Sequence, residues 1–388
     1  MVAVVRILVT GDNHLNLYSQ KLGARLEERR RRIGENWWAT VEHAVRWKAD
    51  LYLHTGDLFD QVSPRNPPRA TVIQGFKRLQ EAGVSAHIIA GNHEAPATQT
   101  EGASPHALLA EAGLAHVYEN RLGFEEFKDT FHGVEVHIAG MSFNRKLMPG
   151  EDPLEGKTIP AGGDLNIALL HYSIEGIAPP LWEEPTIKKT SLEANQQIQL
   201  YAMGHIHDHI ETRFYDSLVA YPGATEHFDF GEWEKPTGFL EVEYDGELKT
   251  RYVELESQPM RQLRLHTSHL DHQDLTASIQ TQLEKNSHPQ GLLQLVLEGE
   301  LPFPKYSEIR FAELNRKASA GNFYFELVDQ ITPMGMEMEL PPGEGLSPRR
   351  RLEEVGGGLA EKAEGEEREL WLEALRLALE YYDRGAGE

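Results

Sequence analysis

Aspartate, asparagine and histidine recur in five short groups of this sequence. Their carboxylate, amide and imidazole atoms suit manganese or iron and do not favour soft metals. One group alone is a weak signal, because a histidine at a strand end is more often structural than a ligand. Together the groups are too many for one ion and match two ions that share a bridging carboxylate. The groups are Asp12-x-His14, Gly56-Asp57-x-x-Asp60, Gly91-Asn92-His93-Glu94, His171 and Gly204-His205-x-His207.

A binuclear centre of this kind predicts hydrolysis of a phosphate ester. Two divalent ions ~3.5–4 Å apart favour in-line displacement at phosphorus, because they lower the pKa of a bridging water and neutralise phosphate oxygens. The leaving oxygen then needs a general acid, and histidine, with an unperturbed pKa of ~6.5, suits that task. His93, next to Asn92, is the candidate acid, and we expect Asp60 to orient it and stabilise its charge.

The polar groups follow strand-like runs, which indicates how they could meet. β-rich runs alternate with helical stretches such as residues 27–48, the pattern of a layered α/β domain. In open α/β sheets, ligands bind at the carboxyl ends of the strands, so we expect several strands to deliver residues to one rim. The predicted strands are Val4–Val9, Leu51–His54, Ala86–Ala90, Val134–Ala139, Asn166–Leu170 and Leu200–Met203.

Composition shifts divide the rest of the chain. Residues 219–253 are β-rich and aromatic, Pro259 marks a boundary, and residues 260–335 carry a smaller α/β pattern. Glycine, proline and charge then predict a linker, followed by an apolar helix that packs onto its own protein or onto a partner. We therefore predict a catalytic domain over residues 1–258, a small domain over 259–335, a linker over 336–364 and a helix over 365–388.

Composition also limits the class of protein. A length of 388 residues suggests two to three domains, and the absence of cysteine excludes disulfides and thiolate metal sites. The net charge of −23 argues against binding nucleic acid by bulk charge, but it leaves room for local or metal-borne phosphate contacts. No apolar run approaches the ~18 residues of a membrane span, and the opening run is typical of a strand rather than a signal peptide. We expect a cytoplasmic enzyme with no membrane contact.

The five groups, in this order, resemble the calcineurin-like metallophosphoesterase superfamily, and within it the DNA repair exonucleases typified by the SbcD subunit of the bacterial SbcCD complex. Three stretches indicate this branch: Gly56–Asp60 followed by Ser63-Pro64, Tyr201–His207, and the block from Tyr221 to Phe239. The resemblance implies a two-layer β-sheet sandwich flanked by helices, with a smaller α/β capping domain that positions DNA and a C-terminal helical tail.

The resemblance also implies roles for single residues. His93 would act on the leaving group, and the metal would be Mn²⁺, with Mg²⁺ or Fe²⁺ as alternatives. Archaeal and eukaryotic members often carry histidine where this sequence has Asp60, which leaves the cleavage polarity open. One ion would be held by Asp12, His14, Asp57 and His207, and the other by Asp57, Asn92, His171 and His205, with Asp57 bridging.

Partners follow from the same resemblance. The tail helix would bind an SbcC-like coiled-coil ABC-type ATPase, and the stretches Pro67–Ala82 and Ser104–Ala112 would form a homodimer, although their apolar residues fit an ordinary core equally well. Among the basic clusters, we expect Arg145 and Lys146 to contact a DNA backbone phosphate, and Arg29–Arg32 to lie on a solvated face. Nothing in the sequence resembles a base-reading element, so cleavage should be largely independent of sequence.

Three functions fit these observations. The first is a metal-dependent DNA nuclease, an exonuclease on duplex ends and an endonuclease on single strands, in double-strand-break repair. The second is a small-molecule phosphodiesterase or phosphatase on the same metal core, which the charge of −23 suits slightly better. The third is a scaffold with a vestigial metal core, in which the tail helix is the working part.

Overall fold

A computed structural model describes residues 4–96, 102–178, 184–335, 348–363 and 365–385. The chain divides into two compact units, Met1–Thr332 and Pro333–Glu388. The strands are β1 (Val5–Thr10), β2 (Leu51–His54), β3 (Ser85–Ile89), β4 (His116–Tyr118), β5 (Glu125–Phe131), β6 (Val134–Gly140), β7 (Leu165–His171), β8 (Ser173–Ile174), β9 (Thr186–Ile187), β10 (Leu200–Gly204), β11 (Ile210–Phe214), β12 (Ser217–Tyr221), β13 (Gly238–Tyr244), β14 (Leu248–Glu254), β15 (Met260–His266), β16 (Leu292–Pro302) and β17 (Tyr324–Met334). The helices are α1 (Leu26–Trp47), α2 (Asn66–Glu81), α3 (Ala107–Glu111), α4 (Lys189–Glu193), α5 (Leu275–Asn286), α6 (Phe303–Ser307), α7 (Phe311–Gly321), α8 (Pro348–Lys362) and α9 (Glu366–Gly385).

Two six-stranded sheets form the main part of the first unit. One has the order β14-β13-β1-β2-β3-β4 and the other β11-β12-β10-β7-β6-β5. Strands β1 to β4 run parallel in the first sheet, and β6, β7, β10 and β12 run parallel in the second. Apolar side chains of both sheets, including Ile7, Leu53, Ile167 and Leu200, form one buried cluster. The predicted two-layer sandwich is confirmed.

Helices α1 and α2 pack on the first sheet through an apolar face. Ile33, Trp37 and Val41 recur at helical spacing and are fully buried with Phe76 of α2. Gly75 lets the two helices approach, because a Cβ there would lie 2.3 Å from the Trp37 ring. These helices leave the carboxyl ends of β1, β2 and β3 to the loops that carry the polar groups.

A three-stranded sheet, β15-β16-β17, forms the small module, which we define as residues 259–332. Its strand β15 runs parallel to β16, and the core contains Ile279 of α5, Leu295 of β16 and Leu314 of α7. The small module lies in the same compact unit as the two large sheets. The boundary between residues 258 and 259 therefore stays a prediction.

The predicted linker over residues 336–364 is wrong in part. Residues 348–362 form helix α8, while 336–347 and 364 lie outside the described residues. Leu352, Val355 and Leu359 recur at helical spacing, a period that the glycine-rich composition hides. Gly356 allows α8 to approach α9, because a Cβ there would lie 2.6 Å from Leu375 Cδ1. The tail is thus a pair of packed helices, and the described helices include none long and apolar enough to cross a membrane.

Candidate metal centre

The predicted ligands lie on tight loops directly after strand ends. Hydrogen bonds between the loops fix their register: Asp12 N donates to Gly56 O over 3.0 Å, and His14 N donates to Asp57 O over 3.0 Å. Such turns require left-handed backbone at residues other than glycine, which the surrounding structure must stabilise. The ligand residues with positive φ are Asp12 (50°), His14 (47°), Asp57 (52°) and His205 (88°).

Glycines in the same motifs let the loops approach one another. A Cβ on Gly91 would lie 2.2 Å from Asp57 Oδ1, and a Cβ on Gly204 would lie 2.3 Å from Thr55 O. A larger residue at either position would push two ligand loops apart. The glycines that precede Asn92 and His205 are therefore required by packing at the rim.

The first ligand group consists of Asp12, His14 and His207, whose ligand atoms lie within 4.8 Å of one another. His207 donates its Nδ1 hydrogen to Glu232 Oε1 over 2.6 Å, which leaves its Nε2 as a lone pair. That Nε2 lies 3.1 Å from His14 Nε2, and the buried Asp12 Oδ2 has no hydrogen-bond partner. Two imidazole nitrogens so close together, beside a buried carboxylate oxygen without a hydrogen-bond partner, fit a cation.

The second ligand group lies beside the first. His171 donates Nδ1–H to Thr55 O over 2.7 Å, so Nε2 is the nitrogen that can ligate a metal once it is deprotonated; it lies 3.2 Å from Asp57 Oδ2. Asn92 Oδ1 lies 3.0 Å from both His171 Nε2 and His205 Nδ1. These atoms, like those of the first group, are oxygen and imidazole donors that suit Mn²⁺ or Fe²⁺.

Asp57 occupies the position between the two groups. Its Oδ2 is 3.2 Å from His171 Nε2 and 4.0 Å from His14 Nε2. Its other oxygen, Oδ1, accepts a hydrogen bond of 2.9 Å from His93 N. The structure therefore brings the seven predicted ligands together, with the predicted bridging carboxylate in the middle.

Asp60 lies between a ligand and the candidate acid. Its Oδ1 is 3.3 Å from His14 Nδ1 and 3.4 Å from His93 Nδ1, and its Oδ2 accepts from Tyr18 N over 2.8 Å. The His93 side chain is 42% exposed, whereas that of His14 is 4% exposed. His93 is therefore fixed on one side and open to a substrate on the other.

Charges at the site are balanced between imidazoles and carboxylates. Burial acts to lower the pKa of His171, but the Asp57 carboxylate outweighs it and raises that pKa to about 9. Burial likewise opposes ionisation of Asp57, whose pKa is nonetheless lowered by His171. Burial acts to lower the pKa of His93, and the hydrogen bond with Asp60 raises it to about 9. Because metal ions bind deprotonated ligands, a divalent cation would compete with these protons.

The family model of the calcineurin-like phosphoesterases matches residues 5–209, which is more than half of the chain. The chain belongs to this family. The family accounts for the strand-end groups from Asp12 to His207 and leaves the small module and the tail outside its match.

Several curated proteins are similar to this calcineurin-like phosphoesterase. The DNA double-strand break repair protein Mre11 of Methanocaldococcus jannaschii is 31% identical over 242 residues, which are 61% of this chain and 61% of that protein. Mre11 of Methanopyrus kandleri is 28% identical over 268 residues, 65% of this chain and 57% of that protein. The chain thus spans about three fifths of the length of these two relatives. A solved dimetal phosphatase from Danio rerio is 12% identical, with a TM-score of 0.39 over 65% of this chain and 100% of that one.

Two carboxylates of this phosphoesterase were not predicted from the sequence. Glu232 accepts from His207 Nδ1, and Glu184 Oε2 lies 2.8 Å from His205 Nε2. Carboxylates in these places orient a ligating imidazole and raise its basicity. Glu232 lies in the block after Tyr221 that the sequence singled out without giving it a role. Glu184 lies in a loop before β9, and no motif marks it.

A buried pair connects two of the metal loops to helix α3. Glu94 Oε1 accepts from Phe59 N over 2.7 Å and lies 2.7 Å from His106 Nε2. Its Oε2 accepts from Gly91 N over 3.2 Å. The last residue of the Gly91–Glu94 group is therefore structural, and it fixes the loops of Asp57 and Asn92 relative to each other.

The basic residues differ in their surroundings. Arg145 lies at the rim, where its Nε and Nη2 donate to Asn92 O over 2.9 and 2.6 Å, and its side chain is exposed. Lys146 is exposed beside it. The expectation that Arg29 lies on a solvated face is wrong: it is 1% exposed and pairs with Glu226. Arg29 lies one turn before Ile33 and therefore on the buried face of α1.

Proposed function

We propose that this protein is a metal-dependent DNA nuclease that hydrolyses phosphodiester bonds at a binuclear centre, in double-strand-break repair. The observation that carries the proposal is the convergence of two groups of carboxylate, amide and imidazole ligand atoms on either side of Asp57. The names of the curated relatives support DNA as the substrate. We propose exonuclease action on duplex ends and endonuclease action on single strands.

The ligand groups define which residues would hold the ions. Asp12, His14 and His207 face one position, Asn92, His171 and His205 face the other, and Asp57 lies between them. Bound Mn²⁺ would supply hydroxide near neutral pH and neutralise the phosphate charge. The buried donor set, rich in imidazole, fits Mn²⁺ or Fe²⁺ better than Mg²⁺, which prefers oxygen ligands.

His93 is the group that we propose donates a proton to the leaving oxygen. Asp60 accepts from Nδ1, so Nε2 remains for the substrate, and the 42% exposure of the side chain gives it access. Asp57 Oδ1 holds the His93 backbone through its N–H, which places the acid beside the bridging carboxylate. Asp60 acts on His93 as an orienting group rather than on the substrate.

Arg145 is the residue that we propose binds a neighbouring phosphate. Its Nε and one Nη2 hydrogen are used by the carbonyl of Asn92, and a guanidinium carries five N–H donors in all. The remaining donors can face a backbone phosphate close to the scissile bond. Lys146 is exposed next to it and adds a second positive charge. Such contacts hold the DNA backbone without reading bases.

Partners belong to the same proposal. Helix α9 exposes a run of apolar side chains, with Leu370 at 70%, Leu372 at 48% and Leu377 at 52%, which fits a coiled-coil ATPase partner. A homodimer through α2 and α3 has less support, because most apolar residues of α2 pack in the core of its own chain. Only Ile73 of α2 (37%) and Leu108 of α3 (49%) are exposed there among the large hydrophobic residues. We propose DNA contact by the small module and a cytoplasmic location.

Degradation of labelled DNA in Mn²⁺, measured beside turnover of bis-p-nitrophenyl phosphate, tests the proposal. We expect shortening of the duplex and cutting of the single strand, both lost in Asp57→Asn and retained in the matched surface variant Asp129→Asn, whose carboxylate is exposed on β5. Turnover of the small ester with intact DNA would favour a small-molecule phosphodiesterase. Bound metal without turnover of either substrate would favour a scaffold.

A further inference from the structure

A short 3₁₀ turn, Phe230–Glu232, lies between the small module and the metal centre. The Glu232 carboxylate performs two tasks with its two oxygens. Oε1 accepts from His207 Nδ1 over 2.6 Å, and Oε2 closes the turn by accepting from Phe228 N over 2.7 Å and from Asp229 N over 3.3 Å. Asp229 caps the turn in return by accepting from Gly231 N over 2.7 Å. The conformation of the turn and the orientation of His207 therefore depend on one side chain.

The small module holds this turn in place. Phe230 packs into an apolar cluster that joins Met260, Leu292 and Phe323 of the small module to leucines at and before the start of α1 (Leu17, Leu22 and Leu26). Immediately after the turn, the Trp233 ring lies beneath the guanidinium of Arg261, 5.6 Å from ring centroid to Cζ. The small module thus contacts the chain on both sides of Glu232, through strands β15 and β16 and the residue before β17.

Phe228, two residues before the turn, extends the contact to the first ligand group. The Phe228 ring lies 4.7 Å from the His14 ring and 5.6 Å from the His207 ring, both edge to face. The second ligand group has other supports: Glu184 holds His205, and the carbonyl of Thr55, directly after β2, holds His171. Among the described residues, these contacts of the small module reach the support of the first ligand group.

We propose that the small module is a positioning element for one of the two metal sites. By holding the turn it fixes Glu232, Glu232 fixes His207, and the affinity of the Asp12–His14–His207 site depends on the docking of the module. The Asn92–His171–His205 site is independent of it. This inference rests on the metal binding proposed above, and it does not depend on the nature of the substrate.

Mn²⁺ titration of the full chain by calorimetry, with manganese EPR as a second readout, tests the inference. Glu232→Gln should weaken the binding of one of the two Mn²⁺ ions about 10-fold, which is the lower end of the effect of losing a group that supports a ligand. Phe230→Ala, which removes a half-buried ring from the apolar cluster, should weaken the same ion several-fold. Glu184→Gln is the matched control, because it should weaken the other ion instead.

Combined variants identify the ion. In a protein that already carries Glu232→Gln, Phe230→Ala should cause no further loss of Mn²⁺ affinity. In a protein that carries Glu184→Gln, Phe230→Ala should lower the affinity as much as it does in the parent. Unchanged affinities in Phe230→Ala, equal weakening of both ions, or full additivity with Glu232→Gln would each overturn the inference. Arg261→Ala, which removes the exposed guanidinium that lies over Trp233, repeats the test if the melting curve shows that Phe230→Ala is unfolded. A parent protein that binds no Mn²⁺ would overturn this inference and the proposed function together, whereas intact sites in the variants would overturn this inference alone.

Discussion

The buried ion pair of Arg29 and Glu226 yields a prediction about stability. Arg29 Nη1 lies 3.1 Å from Glu226 Oε2, with side-chain exposures of 1% and 0%. Arg29 also donates to Gln258 Oε1 over 2.9 Å, and Gln258 N donates to Glu226 Oε2 over 3.0 Å. The pair therefore joins helix α1, the loop after β12 and the segment that leads into the small module.

Removing one partner should be costly. Arg29→Met leaves the Glu226 charge buried without its cation, and the loss of one partner of such a pair costs about 3–5 kcal/mol in the free energy of unfolding. Arg31, two residues further along the same helix, is the matched control, because its pair with Glu35 is 54% and 59% exposed. Exposed pairs contribute about 0–1 kcal/mol, so Arg31→Met should change little.

Chemical denaturation of four proteins measures the effect: parent, Arg29→Met, Glu226→Gln and the double variant. We expect the double variant to lose less stability than the sum of the single variants, because it buries no unpaired charge. A loss below about 1 kcal/mol in Arg29→Met, or strict additivity, would show that the pair is solvated in the folded protein and would refute this reasoning.

Three further predictions concern the site, the core and the rim. Asp57→Ala should abolish both Mn²⁺ binding and hydrolysis, whereas His93→Ala should keep both ions and lose about 10²–10⁴ in rate; loss of metal in the His93 variant, seen by calorimetry, would contradict its role as the acid. Burial lowers the pKa of His87 from the usual 6.5 to about 3. The unfolded chain therefore binds a proton at His87 below pH ~6.5, whereas the folded protein does not. The free energy of unfolding should fall towards pH 3 by at most ~1.4 kcal/mol per pH unit. His87→Gln should flatten that slope between pH 7 and 5, and equal slopes would count against an unprotonated buried imidazole. Replacing Arg145 and Lys146 together by alanine should weaken DNA binding across sequences and reduce the salt slope by about one to two; a slope equal to that of the parent would place neither residue on a phosphate.

Strand ends were the part of the site that the sequence could predict. Parallel strands end at one edge, so polar groups after β1, β2, β3, β7 and β10 could be expected to meet without knowledge of the pairing. Leu51–His54 is predicted without error, and the other strands of this set are found within one residue at each end. Short buried β-branched and leucine-rich runs leave little freedom in where such strands begin and end.

Residues that act through others were not predictable in the same way. Glu184 reaches His205 from a loop, and only the folded chain shows which loop covers which ligand. Arg29 was predicted on the surface because four arginines in a row favour a solvated face, although its spacing to Ile33 and Trp37 places it on the core side of α1. Helix α8 was missed because the composition of glycine and charge outweighed its apolar period.

The left-handed backbone at the predicted metal ligands has a consequence for evolution. Each such residue other than glycine costs about 1–3 kcal/mol of strain, and Asp12, His14, Asp57 and His205 all carry it. Asp12→Gly would relieve the backbone strain at this position and remove a buried carboxylate. An inactive variant can therefore be more stable than the active protein. Heat resistance and chemistry are therefore selected in opposite directions at this rim, and a lineage that no longer needed the reaction would lose these side chains quickly.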